Sequence, residues 1–247
     1  LPLGTGTGGR YESVSSGPSR SPRERAHAGA RHSGANPSPS ASPEVSGTLD
    51  RGLVYLKSQQ DPASGLFGPD ITGSLYNHTL ACLALLELEP ARSPELEKGL
   101  HLLAQTQHKD GGWSYLRARQ APPNSSLTVW ALLVLLEAEA RGIPGYSGVV
   151  QRGLAWIQAT VDTEGRAGYR RPGDHPHGSE TLTAAVALCL ATRDHVPVAL
   201  RQAMLDRVLA DAGMEPATMD FYRTYFQAAA LREAGLGQSP APAELKA

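Results

Sequence analysis

Residues 107–115 read Gln-His-Lys-Asp-Gly-Gly-Trp-Ser-Tyr (QHKDGGWSY), which puts an acid, two glycines and two aromatics in nine positions. Asp-Gly is turn chemistry, and a glycine pair lets the backbone reverse where a side chain would obstruct it. The stretch follows KGLHLL (98–103) and leads into LTVWALLVLLEAEA (127–140). The same order of marker, polar glycine-rich loop and apolar run recurs from RGLVYL (51–56), from RGLAWI (152–157) and, more weakly, from QAMLDRVL (202–209). A period of about fifty residues indicates stacked supersecondary units.

Two kinds of helix alternate within that period. In the first kind, Leu49, Leu53 and Leu56 are followed by Leu96, Leu100 and Leu103, by Val150, Leu154 and Ile157, and by Met204, Leu205, Val208 and Leu209. Spacings of three and four give each segment one apolar stripe, so these helices are predicted to lie on the outside. The second kind, LACLALLEL (80–88), LTVWALLVLLEAEA and TLTAAVALCLA (181–191), is apolar nearly all round and is predicted to be covered on every side. Its fourth copy, YRTYFQAAALREAG (222–235), is more polar, as a terminal unit facing water requires. Ser93-Pro94-Glu95 and Ser179-Glu180 read as helix starts, and Gly142 and Gly235 as helix stops. The predicted fold class is therefore all-α, an α/α toroid or an open arc of about four helix pairs, with amphipathic helices outside and apolar ones inside. Ankyrin and tetratricopeptide arrays repeat at about 33 or 34 residues and do not fit. No β-hairpin pattern stands out.

Residues 1–46 stand apart from the repeats. They are dense in Gly, Ser, Pro and Arg and nearly free of large apolar residues, so burial cannot offset the entropy of ordering them. This segment is expected to be a disordered linker, residues 47–236 the repeat domain and residues 237–247 a flexible tail. A formal net charge of -1 provides no electrostatic case for nucleic acid or an anionic membrane. No apolar run reaches the ~18 residues of a membrane-spanning helix. The chain opens on Leu1 with no leader pattern before the linker, so it is expected to be a soluble piece of a longer, anchored or exported chain with a further N-terminal module. Cys82 and Cys189 each sit in an apolar run and read as buried free thiols.

QHKDGGWSY resembles the Gln-x-x-Asp-Gly-Gly-Trp repeat of the prenyltransferase and squalene oxidase/cyclase repeat superfamily, with DPASGLFG (61–68) and DTEGRAGYR (162–170) as degenerate copies. YNHTLACLALLEL (76–88), SSLTVWALLVLLEAEARGI (125–143) and DFYRTYFQAAALREAG (220–235) are similar to bacterial prenyltransferase-repeat proteins of unassigned function. The resemblance spans residues 47 to 236. It implies that Gln107 and Trp113 act as a structural brace, Gln107 bonding free backbone groups of a neighbouring helix and Trp113 covering the gap between pairs. Gly111 and Gly112 then make the turn and Asp110 an Asx-turn within it.

The resemblance also directs attention to the ring interior at the inner-helix N-terminal ends. Triterpene cyclases use an acid cluster there, Asp-x-Asp-Asp or Asp-Cys-Thr-Ala, and neither occurs in this sequence. Carbocation stabilisation needs several rings around one volume, and aromatics make up only 6% of the residues. Related zinc transferases would need three or four Cys, His or Asp ligands. The candidates are His78 with Cys82 at i, i+4, then His175 and His177, Cys189 and Asp220; ordinary helix-start and core roles compete with every one of them, and no cofactor is predicted. The thioester sequence Cys-Gly-Glu-Gln is absent too.

What remains is a polar and aromatic rim at one end of the inner helices. It comprises Tyr76, Asn77, His78, Tyr115, Tyr169, Arg170, Glu180, Tyr222 and Tyr225. The expectation is a non-catalytic binding or scaffold domain recognising a protein, peptide or glycan on its concave or polar rim. The alternative is a cyclase- or prenyltransferase-like enzyme on an isoprenoid or other apolar substrate, with Glu180 or Asp220 as its acid. An enzyme needs a cavity of about 300 Å³ with convergent ionisable groups.

Overall fold

The computed structural model describes residues 43–89, 92–117, 121–175, 180–212 and 220–236. They include eight helices: α1 (Pro43–Ser58), α2 (Ser74–Leu88), α3 (Pro94–Gln105), α4 (Ser125–Ala140), α5 (Ser147–Gln158), α6 (Glu180–Leu190), α7 (Val198–Ala210) and α8 (Phe221–Glu233). The expected linker and tail fall outside the described residues, except that α1 starts at Pro43, ahead of the boundary read at residue 46. Proline is well suited to a first helical turn, where its missing N–H has no helical partner.

The helix ends carry their own signals. Ser93 Oγ accepts the Leu96 N–H at 3.3 Å with Pro94 as the first helical residue. Asn124 Oδ1 accepts the Leu127 N–H at 3.0 Å and starts α4. Gly142 and Gly235 take φ of 74° and 73°, and the residue after each bonds back into its helix, Ile143 N to Ala138 O and Leu236 N to Leu231 O. That is the paired stop a left-handed glycine permits. The start read at Ser179 lies outside the described residues.

The helices form two layers. Inner α2, α4, α6 and α8 pack each on the next, while α1 lies on α2, α3 on α2 and α4, α5 on α4 and α6, and α7 on α6 and α8. The described helices form an α/α-toroid arrangement of four helix pairs. Leu96, Leu100, Leu103, Val150, Leu154, Ile157, Met204, Leu205 and Val208 are buried as their stripes require, but Leu49 and Leu209 are exposed. Leu80 and Leu88 of α2 are exposed as well, although the inner helices were expected to be covered all round. The reason is position: α2 has no inner helix before it.

One joint recurs between consecutive pairs. Gln107 Nε2 donates to Gly111 O (2.8 Å) and to Val149 O of α5 (2.9 Å), while Gln107 Oε1 accepts Nε and Nη2 of Arg152 at 3.0 and 2.8 Å. Gly111, at φ 107°, lies so close to α5 that a Cβ would sit 2.4 Å from Arg152 O. Asp110 Oδ1 accepts the Gly112 N–H at 3.3 Å, closing the turn. Trp113 is fully buried; its indole N–H donates to Leu103 O at 2.8 Å and its ring fills the notch left by Gly153.

The first loop repeats this with Gln60, whose Nε2 donates to Gly65 O (2.9 Å) and to Glu95 O of α3 (2.8 Å), and Phe67 fills the notch at Gly99. In the third loop Gly165 presses on Ala203 and Met204 of α7. Among the described residues the first and third loops each hold an isolated antiparallel bridge, Gln60 with Phe67 and Val161 with Ala167. These turns are too short to announce themselves by alternation in the sequence.

A third element completes each joint. The aromatic-position N–H of each loop is accepted by a side chain of the following inner helix: Phe67 N by His78 Nδ1 (3.2 Å), Trp113 N by Thr128 Oγ1 (3.0 Å) and Ala167 N by Thr183 Oγ1 (3.0 Å). A buried backbone N–H without an acceptor is costly, so the three residues share one structural duty.

Candidate functional site: an aromatic rim at the inner-helix N-termini

The joints hold the N-terminal ends of α2, α4 and α6 in place, and the loops before α4 and α6 each accept a backbone N–H from the inner helix before. Leu75 N donates to Tyr115 O (3.3 Å), and Ser125 N to Tyr169 O (2.8 Å). Tyr115 and Tyr169 are thereby held next to one another, and the Tyr169 hydroxyl donates to the Tyr115 hydroxyl at 3.2 Å. Arg170 is exposed and lays its guanidinium 5.7 Å from the centre of the Tyr169 ring, within cation–π range. Burial, and after it the bond to Tyr115, pushes the Tyr169 phenol well above the usual tyrosine range.

A second cluster joins the first inner helix to the last. The Tyr76 and Tyr222 hydroxyls are 3.2 Å apart, and Trp130 Nε1 donates to Tyr222 Oη at 2.9 Å. Tyr76 meets Trp130 edge-on at 6.0 Å, Trp130 meets Phe226 at 5.5 Å, and Phe226 is also met edge-on by Tyr222 at 5.0 Å and by Tyr225 at 5.2 Å. Edge-to-face contacts of this kind add to the burial of the rings themselves. Burial, followed by the bond to Tyr76, raises the Tyr222 phenol well above its usual range. Side chains of α2, α4 and α8 are thus linked to one another at this end of the inner helices.

Sequence reading and structure part company at several positions. His78 belongs to the joint and not to the rim: it is fully buried, stacked on Phe67 at 5.6 Å, with Nδ1 taken by the Phe67 N–H and Nε2 at 3.0 Å from Gly99 O. Since a carbonyl can only accept, Nε2 carries the proton, and neither nitrogen has a lone pair to offer a metal. Burial lowers its pKa to about 4. Cys82 Sγ lies 3.7 Å from His78 Nε2, but burial pushes that thiol far above its usual range, and the same cause pushes Cys189 up to about 12. Among the described residues no three His, Cys, Asp or Glu side chains converge as a metal site would require. His177 lies outside the described residues, and His175 is half-buried.

Asp220 is the N-cap of α8, its Oδ1 accepting the Tyr222 and Arg223 N–H groups at 3.0 and 3.2 Å. Glu180 is the half-buried first residue of α6, and Asn77 is exposed on α2. Trp130, Phe226 and the exposed Phe221 escaped the sequence reading because each sits in an apolar or capping context without a distinguishing motif. A cavity of about 120 Å³ lies away from the rim, lined by residues that include Leu85, Glu89, Leu96, Arg141 and Ile143 near the C-terminal ends of α2 and α4. No helix of the described residues is long and apolar enough to cross a membrane.

Fold and joints together define a terpenoid-cyclase-type helical repeat domain. The chain belongs to the squalene-hopene cyclase C-terminal domain family, whose model matches residues 39–171, more than half of the 247-residue chain. It is 31% identical over 125 residues to a squalene–hopene cyclase of Bradyrhizobium diazoefficiens, a match covering 46% of this chain and 18% of that relative. The chain therefore spans about a fifth of that relative's length. Among solved structures it is similar to a protein from Actinoplanes, with a TM-score of 0.46 and 20% identity over 78% of this chain and 75% of the other.

Proposed function

We propose that this chain is a binding module that holds a protein, peptide or glycan partner on its aromatic rim. The observation that carries the reading is the Tyr76–Tyr222–Trp130 network with Phe226, which links α2, α4 and α8 and leaves Tyr222, Tyr225 and Phe221 exposed beside it. Tyrosine and tryptophan favour recognition because they offer a large rigid face and a polar handle at small entropic cost. Of the two carboxylates nominated as acids, Asp220 supports it from the other side, since it is engaged in capping α8.

The kinship with a squalene–hopene cyclase favours a second reading, an enzyme acting on squalene or a similar apolar substrate. One experiment separates the two. The full chain and its Tyr225→Ala variant are screened in parallel on glycan and peptide libraries, and the full chain is incubated with squalene. Ligands bound by the chain and lost in the variant, with squalene recovered unchanged, support the binding module. Cyclised squalene above a protein-free blank overturns it, as does a screen without any Tyr225-dependent ligand.

A further inference from the structure

The phenols of the rim hold more hydrogens than their mutual bonds use. Trp130 Nε1 gives its hydrogen to Tyr222 Oη, and the Tyr222 and Tyr76 hydroxyls share one bond at 3.2 Å. Whichever of these two phenols donates, the other keeps its hydrogen, and no acceptor for it stands among the described residues. The Tyr169 hydroxyl gives its hydrogen to Tyr115 Oη, so the Tyr115 hydrogen is left over in the same way. Each chain of bonds therefore ends in an uncommitted O–H. A hydroxyl whose oxygen already accepts a bond is polarised into a stronger donor.

The two ends belong to one place. Burial first, and then the Tyr76 bond, raise the Tyr222 phenol, and the Tyr115 phenol adds to the rise, so the two pairs lie within electrostatic reach of each other. The charge beside them is positive. Arg170 has no carboxylate partner among the described residues, and its guanidinium lies 5.7 Å from the centre of the Tyr169 ring. At the Tyr169 phenol, where burial and the Tyr115 bond dominate, the charge of Arg170 outweighs the opposing carboxylate of Asp174. Spare donors beside an unpaired guanidinium suit an oxyanion.

We propose that the ligand of the rim is an acidic saccharide: its carboxylate accepts the spare hydrogens of Tyr115 and of the Tyr76–Tyr222 pair, Arg170 supplies the counter-charge, and a sugar face lies on Tyr225. This deepens the binding-module reading and rests on it. The sugar follows from the surface beside the donors. Tyr225 and Phe221 are 52% and 79% exposed, and the C–H side of a pyranose packs on such flat ring faces by apolar contact. A peptide recognised through its backbone adds to a strand edge, whereas the β-structure among the described residues is two isolated bridges inside the joints.

The probes are galacturonate oligosaccharides and the same oligosaccharides as methyl esters, titrated calorimetrically into the full chain. Saturable binding of the acids is expected, with the esters weaker by about tenfold or more, the loss of one charge-assisted hydrogen bond. Arg170→Gln and Tyr115→Phe should each weaken the acids by a similar factor and leave the esters unchanged. Tyr115→Phe keeps the ring and removes only the hydroxyl, and its circular dichroism shows whether it is folded. Equal binding of acid and ester, both lost in Tyr225→Ala, overturns the oxyanion site while the binding module stands. Binding of neither overturns the inference, and the binding module falls with it only if the wider screen also yields no Tyr225-dependent ligand. Tyr225-dependent capture of acidic peptides in place of the uronates overturns the saccharide.

Discussion

Acidification should weaken this fold through one imidazole, and replacing it with threonine should remove that weakness. His78 holds the Phe67 N–H on Nδ1 and so serves only while neutral. Its pKa is about 4 in the folded chain against 6.5 for a free side chain. Above pH 6.5 neither state is protonated, and the contribution of the neutral ring is fully present. Between 6.5 and about 4 the unfolded chain takes up a proton that the folded chain refuses, so stability falls with pH. Below about 4 both states carry the proton and the loss stops. A gap of about 2.5 units at ~1.4 kcal/mol each puts the whole loss at about 3–4 kcal/mol. Threonine is the informative replacement because Thr128 and Thr183 already perform the same duty. Urea unfolding followed by circular dichroism, at steps from about pH 7.5 to pH 4, measures both chains, and the other titrating groups cancel in the difference. His78→Thr should be less stable at neutral pH, since it loses the Gly99 bond and the stack on Phe67, and the deficit should close by about 3 kcal/mol at pH 4. Parallel pH dependences for the two chains would show that His78 does not carry the acid sensitivity.

The glycine notches predict opposite signs for one substitution. Gly153→Ala should cost about 1–3 kcal/mol by overpacking against Leu132 and Trp113, while Gly52→Ala should stabilise by about 0.5–1 kcal/mol, both read as urea midpoints. Gln107→Ala should cost about 1–3 kcal/mol, because the part-buried Val149 carbonyl and the Arg152 guanidinium both lose a partner; Gln60→Ala should cost less, lacking an arginine. Tyr222→Phe leaves the part-buried Trp130 indole N–H without its acceptor and should shift tryptophan emission while lowering stability by about 1–2 kcal/mol. In an absorbance titration of the parent chain, Tyr222 and Tyr169 should ionise well above the usual tyrosine range, since burial first and phenol–phenol bonds second hold both protonated.

The architecture was readable because its controlling signals are local. Apolar spacing separates outer from inner helices, and Ser93, Gly142 and Gly235 mark ends through chemistry that needs no neighbour. The equivalence of His78, Thr128 and Thr183 was not readable. Each lies a different distance beyond its loop donor, 11, 15 and 16 residues on, so no fixed spacing links them, and three different-looking contexts hide one role. His78 beside Cys82 therefore looked like half a metal site. Trp130 posed a different difficulty: in a helix that is apolar all round, residue type does not say which side chain meets those of α2 and α8. The exposed Leu49 and Leu80 mark where periodicity stops being informative, because a stripe predicts a buried face only when a neighbour is present to bury it.

The hydroxyl pair between Tyr76 and Tyr222 links positions 146 apart in the chain, whereas the joints tie each pair only to the next. Two kinds of connectivity therefore coexist, a serial one that grows by short steps and a circular one that exists only when all steps are complete. The entropy of closing so long a loop grows only slowly with length, about 0.6 kcal/mol per doubling, and most of it is already lost once the intervening pairs have stacked. A loss of the two phenols' contact alone would still leave the last inner helix tied to the second through Trp130, Tyr222 and Phe226.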